Sequence, residues 1–288
     1  MTPPFTVGDI QVWRIVEMPE PFMKPLAMFP DATAEIIAEN RHWLEPDALC
    51  PETGKLLLTI QAYLVRTSRH TLLIDTCVGC GKSNEWYPDW HQRTDTVWLD
   101  RLAAAGAAPE QIDYVFCTHL HPDHCGWNTR LLDGRWVPTF PKARYVMART
   151  EVEYLEAKPD NVWNENVLPV IESGQALVFD DGYALDDEVW LQPTPGHTAG
   201  HVAVRLASKG REAVMTGDMI HSPIQCPYPD WAFKYDFDKA QAVATRRAVL
   251  EAAAEHRHLV MTAHFPAPSA GYVEVRGDVF KFDYLDGK

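Results

Sequence analysis

The chain has 288 residues, with 40 acidic and 26 basic side chains and a formal net charge of −14 when histidine is neutral. A hydrophobic fraction of 46% and a charged fraction of 23% are typical of globular proteins and exclude disordered, collagen-like and coiled-coil chains. Because an acidic protein repels polyanions, we expect no nucleic-acid partner and no anionic membrane partner. The start of the chain lacks the basic and apolar regions of a signal peptide, and no long apolar stretch follows. We therefore expect a soluble, cytoplasmic protein.

The first hundred residues predict strands that are interrupted by a proline-rich segment. Residues 5–17 alternate between apolar and polar side chains, as a half-buried strand does. Residues 17–54 contain six prolines, so we predict an irregular arm or lid there. Residues 56–67 and 70–76 predict two strands around a tight turn. Residues 94–105 predict a helix, with Thr94 or Asp95 as the candidate cap at its start.

The rest of the chain mixes short strands with helices. Apolar runs predict further strands at 114–119, 144–149, 176–180, 188–194, 201–207, 212–217 and 258–264. The segment Thr150–Glu153 has a capping-box pattern and predicts a helix that continues toward Ala157, and 238–256 predicts a longer helix. Because helices accompany the strands in both halves, we predict an α/β fold in one domain over residues 1–288. Its expected architecture is a four-layered αββα sandwich of two mixed β-sheets flanked by helices.

Two of the six cysteines, Cys77 and Cys80, form a C-x-x-C pattern. The cysteine spacing over the whole chain does not suggest a disulfide scaffold, which fits a reducing compartment. No second cysteine pair is present to complete a zinc site, so we interpret C-x-x-C as part of a glycine-rich turn. A redox role for the pair stays open.

The most informative segment is the H-x-H-x-D-H motif that directly follows a predicted buried strand. Side chains alternate faces in an extended stretch, so His119 and His121 point the same way. The turn that Pro122 allows brings Asp123 and His124 to a neighbouring position. Imidazole and carboxylate groups suit zinc and also manganese or iron. The motif therefore predicts part of a metal site.

Further candidate residues occur where other apolar strands end and loops begin. The candidate metal ligands among them are His197, Asp218 and His264. Burying such side chains without partners would be costly, which favours a metal site over an ordinary core position. Metal-bound imidazoles need hydrogen-bonding partners, and the candidates for these outer or substrate-facing positions are Asp75, His201 and His221.

Along the chain, Asp75 is followed by H-x-H-x-D-H, then by P-G-H-T-x-G-H, then by G-D and finally by His264. These motifs, in this order, resemble those of the metallo-β-lactamase-fold hydrolase superfamily. The resemblance extends over about residues 56–266 and implies the metallo-β-lactamase fold. It also implies two divalent metal ions per chain, with zinc expected before manganese, cobalt or iron. One ion would be bound by His119, His121 and His197, the second by Asp123, His124 and His264, and Asp218 would bridge them.

Two metal ions that share a hydroxide lower the pKa of the bound water toward about 7 and polarise the bond to be cleaved. The resemblance gives catalytic roles to Asp123, which would orient the hydroxide and move its proton, and to Asp218, which would fix the distance between the ions. Two features disfavour an exported β-lactamase: Asp218 is expected to bridge the ions, and the sequence shows no signal-peptide pattern. The acidic charge disfavours a nuclease. The signature resembles the lactonase and organophosphate-hydrolase branch.

We therefore expect a binuclear zinc hydrolase that opens an ester bond in a small, mostly apolar substrate, with a lactone as the first choice. Phosphotriester or aryl ester hydrolysis is the alternative within this class. A mononuclear iron sulfur dioxygenase of the same fold and a non-catalytic metal-binding protein are alternatives from other classes. Trp127 could contact substrate, and Tyr228 could donate to an oxyanion. The arm carries apolar side chains that can form a contact between two subunits, so a homodimer is compatible with the sequence.

Overall fold

The computed structural model describes residues 4–285, which contain sixteen strands and seven α-helices. The strands are β1 (Phe5–Val7), β2 (Ile10–Met23), β3 (Leu56–Arg66), β4 (Thr71–Ile74), β5 (Tyr114–Phe116), β6 (Thr129–Leu132), β7 (Arg135–Pro138), β8 (Arg144–Ala148), β9 (Ala176–Phe179), β10 (Tyr183–Ala184), β11 (Val189–Pro193), β12 (Val202–Ser208), β13 (Arg211–Met215), β14 (Leu259–Met261), β15 (Ala270–Arg276) and β16 (Val279–Tyr284). The helices are α1 (Pro25–Met28), α2 (Ala34–Leu44), α3 (Val97–Ala104), α4 (Pro122–Cys125), α5 (Arg149–Ala157), α6 (Leu168–Glu172) and α7 (Lys239–Glu255). Short 3₁₀ or π turns lie at Pro88–Trp90, Pro109–Gln111, Gly126–Asn128, Trp163–Val167, Gly217–Met219 and Pro223–Gln225.

The strands form two seven-stranded mixed sheets and one two-stranded sheet. The order of the first sheet is β1-β2-β3-β4-β5-β8-β9, and its strands are antiparallel as far as β4 and parallel from β4 onward. The second sheet follows chain order from β10 to β16 and is antiparallel except for the parallel pair β13 and β14. Strands β6 and β7 pair with each other.

Three apolar cores separate four layers. The first packs the outer face of the first sheet against helices α3, α5 and α6 through residues such as Trp98 and Val152. The second lies between the sheets and buries residues such as Phe116 from the first sheet and Met215 from the second. The third packs the second sheet against α7. Because each sheet buries both faces, the αββα sandwich expected from the sequence is confirmed.

The predicted strand over residues 5–17 is in fact a hairpin of β1 and β2. Gly8 makes the turn with a φ of +58°, and a Cβ atom there would lie 2.3 Å from the Ser208 carbonyl oxygen. Only glycine accommodates both conditions. The expectation that regular structure stops at residue 17 is also wrong, because β2 continues to Met23 and α2 occupies much of the predicted arm.

Strand β2 tolerates Pro19 and Pro21 because much of one edge has no strand beside it. Strand β1 pairs only with Ile10–Val12, whereas β3 pairs with β2 as far as Met23. Side chains of α3 cover part of the open edge, where the Trp98 indole donates to the Ile15 carbonyl at 3.1 Å. Proline cannot donate to a neighbouring strand and is therefore accepted at such an edge.

Two predicted helix caps are not formed, although all three predicted helices are present. Helix α3 begins at Val97 and α5 at Arg149, so neither Thr94 nor Asp95 caps α3, and Thr150 does not cap α5. At the start of α7, by contrast, the Asp238 carboxylate accepts a hydrogen bond from the Gln241 amide at 3.0 Å. Among residues 4–285, no helix has the length and apolar character needed to cross a membrane.

The C-x-x-C segment is a turn, as its glycine content predicts. Cys77, Gly79 and Gly81 all have positive φ angles. Cys77 is buried, and the half-buried Cys80 thiol donates to the Arg93 carbonyl at 3.2 Å. Both cysteines are free thiols.

Candidate metal centre

The candidate ligands converge because several loops leave the two sheets at the same edge. The segment after β5 carries His119 and His121 and leads into the single helical turn α4, which carries Asp123 and His124. On the second sheet, His197 lies between β11 and β12, Asp218 follows β13 and His264 follows β14. Strands β13 and β14 are parallel, so their carboxyl ends place the last two side chains beside each other.

The first cluster consists of His119, His121, His197 and one oxygen of Asp218. The Nδ1 atom of His121 lies 2.9 Å from Nε2 of His119 and 3.0 Å from Nε2 of His197. The Asp218 Oδ2 atom lies 3.5 Å from His197 Nε2 and 3.9 Å from His119 Nε2. The four potential ligand atoms lie within 4.8 Å of one another, which is close enough to bind one metal ion.

The second cluster consists of Asp123, His124 and His264, whose potential ligand atoms also lie within 4.8 Å of one another. The Asp123 Oδ2 atom is 3.5 Å from His124 Nε2 and 3.7 Å from His264 Nε2. The second oxygen of Asp218, Oδ1, faces this cluster at 3.1 Å from His124 Nε2 and 2.9 Å from His264 Nε2. Asp218 therefore presents one carboxylate oxygen to each cluster.

The polar atoms at the centre fit a pair of cations better than a hydrogen-bonded core. Among the described residues, Asp218 Oδ1 and His124 Nε2 are buried and, although they lie 3.1 Å apart, neither makes a hydrogen bond of acceptable geometry. Leaving such atoms unpaired is costly unless another group satisfies them. Neutral imidazole nitrogens and carboxylate oxygens are ligands for divalent transition metals. The arrangement can thus hold two divalent ions that share Asp218.

The two clusters differ in their protonation. Burial and then the neighbouring histidines hold the pKa values of His119 and His197 well below the usual range. Burial also lowers the pKa of His124, but Asp218 and Asp123 outweigh it and raise that pKa well above the usual range. Although burial raises the pKa of Asp218, the surrounding histidines hold it well below the usual value. Asp218 is therefore a carboxylate at neutral pH.

Asp75 lies behind the second cluster, in the outer position that the sequence predicts. Its Oδ2 atom is 2.8 Å from Nδ1 of His124, and its Oδ1 accepts the Thr118 amide at 2.8 Å. The Thr118 hydroxyl also donates to Asp75, at 2.9 Å. Asp75 has a φ of +60°, a strained conformation for a non-glycine residue that these contacts maintain. This partner fixes which nitrogen of His124 faces the centre.

His201 positions Asp218 through the backbone. The Asp218 amide donates to His201 Nε2 at 2.8 Å, so the ring proton is on Nδ1, which lies 3.0 Å from the Thr194 carbonyl oxygen. Burial lowers the pKa of His201 to about 4, so the ring stays neutral. His201 thus acts on the bridging residue and offers no nitrogen to an ion.

His221 lies at the centre itself. Its Nε2 atom is 3.2 Å from Asp218 Oδ2, and its ring lies 4.0 Å from the Phe233 ring between centroids. Within the described part of the chain, both of its ring nitrogens are buried without a hydrogen-bond partner. His221 is therefore available to a ligand or a substrate at this position.

The structure does not bring Trp127 and Tyr228 into the clusters. The Trp127 indole donates to Glu17 at 2.8 Å and stacks on Trp98, so it belongs to the core of the first sheet. The Tyr228 hydroxyl accepts from the Asn40 side chain at 3.1 Å, which links it to helix α2.

Sequence reasoning missed two buried carboxylates behind the first cluster. Asp236 Oδ1 lies 2.9 Å from His197 Nδ1, and its other oxygen accepts the Phe233 amide at 2.8 Å. Glu151 accepts amide hydrogens from Leu120 and Gly200. Asp236 follows no strand and matches no motif, so nothing local identifies it. Glu151 lies between Thr150 and Glu153 of the apparent capping box, and that pattern assigns it no role.

Comparison with known proteins agrees with this geometry. A family model described as the metallo-beta-lactamase superfamily matches residues 57–278. An N-acyl homoserine lactonase from a Bacillus species is 24% identical over 227 residues, covering 73% of this chain and 83% of the relative. N-acyl homoserine lactonase AiiA from Bacillus thuringiensis subsp. kurstaki is 26% identical over 179 residues, covering 58% of this chain and 66% of the relative.

Among solved structures, the hydrolase AbOPH of the beta-lactamase superfamily superposes with a TM-score of 0.82 at 25% identity, covering 98% of this chain and 97% of that one. AidC, described as a dizinc quorum-quenching lactonase in complex with the product N-hexanoyl-L-homoserine, gives a TM-score of 0.74 at 22% identity, covering 98% and 96%. The family model covers most of the chain, from the third strand of the first sheet to the last hairpin. The chain therefore belongs to the metallo-beta-lactamase superfamily.

Proposed function

We propose that this protein is a binuclear zinc lactonase that opens the ring of N-acyl homoserine lactones. The observation that carries the proposal is the Asp218 carboxylate, which directs one oxygen to each of two ligand clusters. The names of the sequence relatives, which are N-acyl homoserine lactonases, support the choice of substrate. In this proposal His119, His121 and His197 hold one zinc ion, and Asp123, His124 and His264 hold the other.

Two zinc ions held there would supply Lewis acidity, which activates a water molecule and polarises the lactone carbonyl. Asp123 would handle the proton that the water loses. Although burial raises the pKa of Asp123, the charges of His124 and His264 lower it below its usual value, so Asp123 is an ionised carboxylate at neutral pH and carries no proton of its own. The same group could then pass the proton from the water to the alkoxide that leaves when the ring opens.

His221 is suited to orient the substrate. A ring nitrogen that lacks a partner in the protein can donate to the lactone carbonyl oxygen and hold the carbonyl beside the two clusters. The Phe233 ring lies against His221 and fixes the plane of the imidazole. Asp236 holds this loop in place by accepting the Phe233 amide.

An aromatic row leads from the centre to the surface and is suited to an acyl chain. The Phe233 ring is 5.7 Å from the His197 ring, and the Tyr235 ring is 5.4 Å from Phe233. Tyr235 itself is 49% exposed. Apolar surface of this kind, next to a few polar groups, is typical of sites for small amphiphilic ligands.

The second cluster favours this function over a mononuclear iron dioxygenase. A single ion would need only the three histidines of the first cluster. The buried side chains of Asp123, His124 and His264 would then have no metal ion to bind. The binuclear proposal accounts for both groups.

Proton release on ring opening tests the proposal directly. Zinc-loaded protein is mixed with N-hexanoyl homoserine lactone in a pH-stat, and chelator-treated protein is the control. A phosphotriester and an aryl ester are run as competing substrates. We expect chelator-sensitive proton release that is fastest with the lactone. No release with the lactone, or faster hydrolysis of either other ester, would contradict the proposed substrate.

A further inference from the structure

Glu151 contacts both loops that supply the first cluster. It is the third residue of α5 and is only 7% exposed. Its Oε2 atom accepts the Leu120 amide at 3.2 Å, and its Oε1 atom accepts the Gly200 amide at 2.8 Å. One buried carboxylate therefore joins a loop that follows the first sheet to a loop within the second.

The two amides lie beside metal-binding candidates. Leu120 stands between His119 and His121, and Gly200 lies three residues after His197. The first cluster is assembled from the two halves of the molecule. His119 and His121 lie in the loop after β5, whereas His197 lies in the loop between β11 and β12. Its geometry therefore depends on what holds these loops together.

The approach at Gly200 is too close for a side chain. A Cβ atom at that position would lie 2.9 Å from Cγ and 3.0 Å from Oε1 of Glu151. Contacts shorter than van der Waals separation would push the loop away from α5. The glycine thus allows the second hydrogen bond to form.

We propose that Glu151 is a positioning residue that sets the separation between the His119/His121 pair and His197, and thereby the affinity of the first cluster for its metal ion. The inference rests on the proposed function only in treating this cluster as a metal site. Two amide donors require two acceptor oxygens. A carboxylate supplies both, whereas the amide of glutamine supplies one oxygen and turns a donor toward the other N–H. Glu151→Gln should therefore release one loop.

The test compares the metal affinities of Glu151→Gln and Glu153→Gln by competition with a chelator. Glu153 is exposed on the same helix, so its variant removes the same charge without touching either loop. Changes in partners of metal-binding residues cost about 10- to 100-fold in affinity. We expect a loss of that size for one ion of Glu151→Gln, with the other ion unaffected and the control unchanged.

Two further readouts separate positioning from a general loss of structure. In protein loaded with cobalt, Glu151→Gln should lose the visible absorption of one site at limiting metal. Excess zinc should restore its kcat, because every ligand is still present. Equal affinities in Glu151→Gln and Glu153→Gln would overturn the inference, and so would an activity loss that excess zinc does not repair.

If Glu151→Gln does not fold, Gly200→Ala tests the same contact from the other loop. We expect the same selective loss of one ion, and unchanged binding of both ions would overturn the inference. Wild-type protein that binds two ions but opens no lactone would contradict only the proposed substrate. The metal affinities of the Glu151 and Gly200 variants would still decide whether Glu151 is a positioning residue. Wild-type protein that binds no ion would contradict both.

Discussion

The two clusters on either side of Asp218 share residue types but differ in charge. In the first cluster, burial and mutual repulsion hold the pKa values of His119 and His197 low, so their rings are neutral. In the second, carboxylates raise the pKa values of His124 and His264 despite burial. The first cluster therefore offers free nitrogen ligands at neutral pH, whereas the second must release protons when it binds a cation.

The clusters also differ in how they are built. Each takes two ligands from the segment after β5 and one from a loop of the second sheet, but the second draws Asp123 and His124 from a single helical turn. Glu151 and Asp236 support the loops of the first cluster, whereas Asp75 supports the second through His124. The comparison indicates that both clusters depend on carboxylates behind the ligands, and that the second cluster is more sensitive to pH.

The largest effect is expected from Asp218→Ala, which removes the one residue that the clusters share. The variant should keep its fold but lose at least one metal ion. Its turnover should fall by more than about 100-fold, because changes to outer partners alone reach that range. Metal analysis combined with lactone kinetics checks this. A variant with two ions and wild-type turnover would show that Asp218 does not link the clusters.

A comparison of His197→Ala with His264→Ala tests whether the two clusters bind their ions independently. Each variant removes one ligand from a different cluster and should lose one ion while it keeps the other. Cobalt absorption measured during metal titration distinguishes the two sites. Loss of both ions in either variant would mean that the clusters do not bind independently.

Asp236→Asn and Asp75→Asn sharpen the comparison through residues behind the ligands. Each asparagine keeps the shape but removes the charge that faces an imidazole. We expect each variant to lose about 10- to 100-fold in affinity for the ion of its own cluster only. Competition with a chelator measures both affinities. If one variant lost affinity equally for both ions, Asp236 and Asp75 would not each support a single cluster.

The smallest effect concerns the loop beneath the second cluster, which Glu17 supports. Its carboxyl group accepts the Val78 amide at 2.9 Å and the Trp127 indole N–H, and burial raises its pKa to about 7. Between the ordinary glutamate pKa of 4.5 and about 7, the folded protein keeps a proton that the unfolded chain has released. The contribution of Glu17 to the free energy of unfolding therefore falls as pH rises, by about 1 kcal/mol per pH unit.

Glu17→Gln should remove this decline. Urea unfolding of wild type and variant at several pH values between about 5 and 7 measures the difference. We expect the two stability curves to approach or cross as pH rises, with the wild type losing more. Parallel curves would show that Glu17 is not protonated in the folded state.

Local patterns predicted the parts of the centre that depend on adjacent residues. The H-x-H-x-D-H motif places four ligand candidates within six residues, and the strand ends carrying His197, Asp218 and His264 follow from apolar runs. The fold class followed from the alternation of strands and helices. In each case the information lies within a few neighbouring positions of the chain.

The rest depends on distant contacts. Asp236 supports His197 from 39 positions away, and Glu151 joins loops 31 and 49 positions away. The extension of β2 over Pro19 and Pro21 depends on an edge that β1 leaves open. A sequence pattern does not contain such information, because the partner is set only when the sheets pack.

The most direct test of the account is a zinc titration of chelator-treated protein, with bound metal and lactone opening measured on the same samples. We expect two zinc ions per chain, release of protons as the second cluster fills, and full ring-opening activity only when both ions are bound. Saturation at one ion, or full activity with one ion bound, would contradict it.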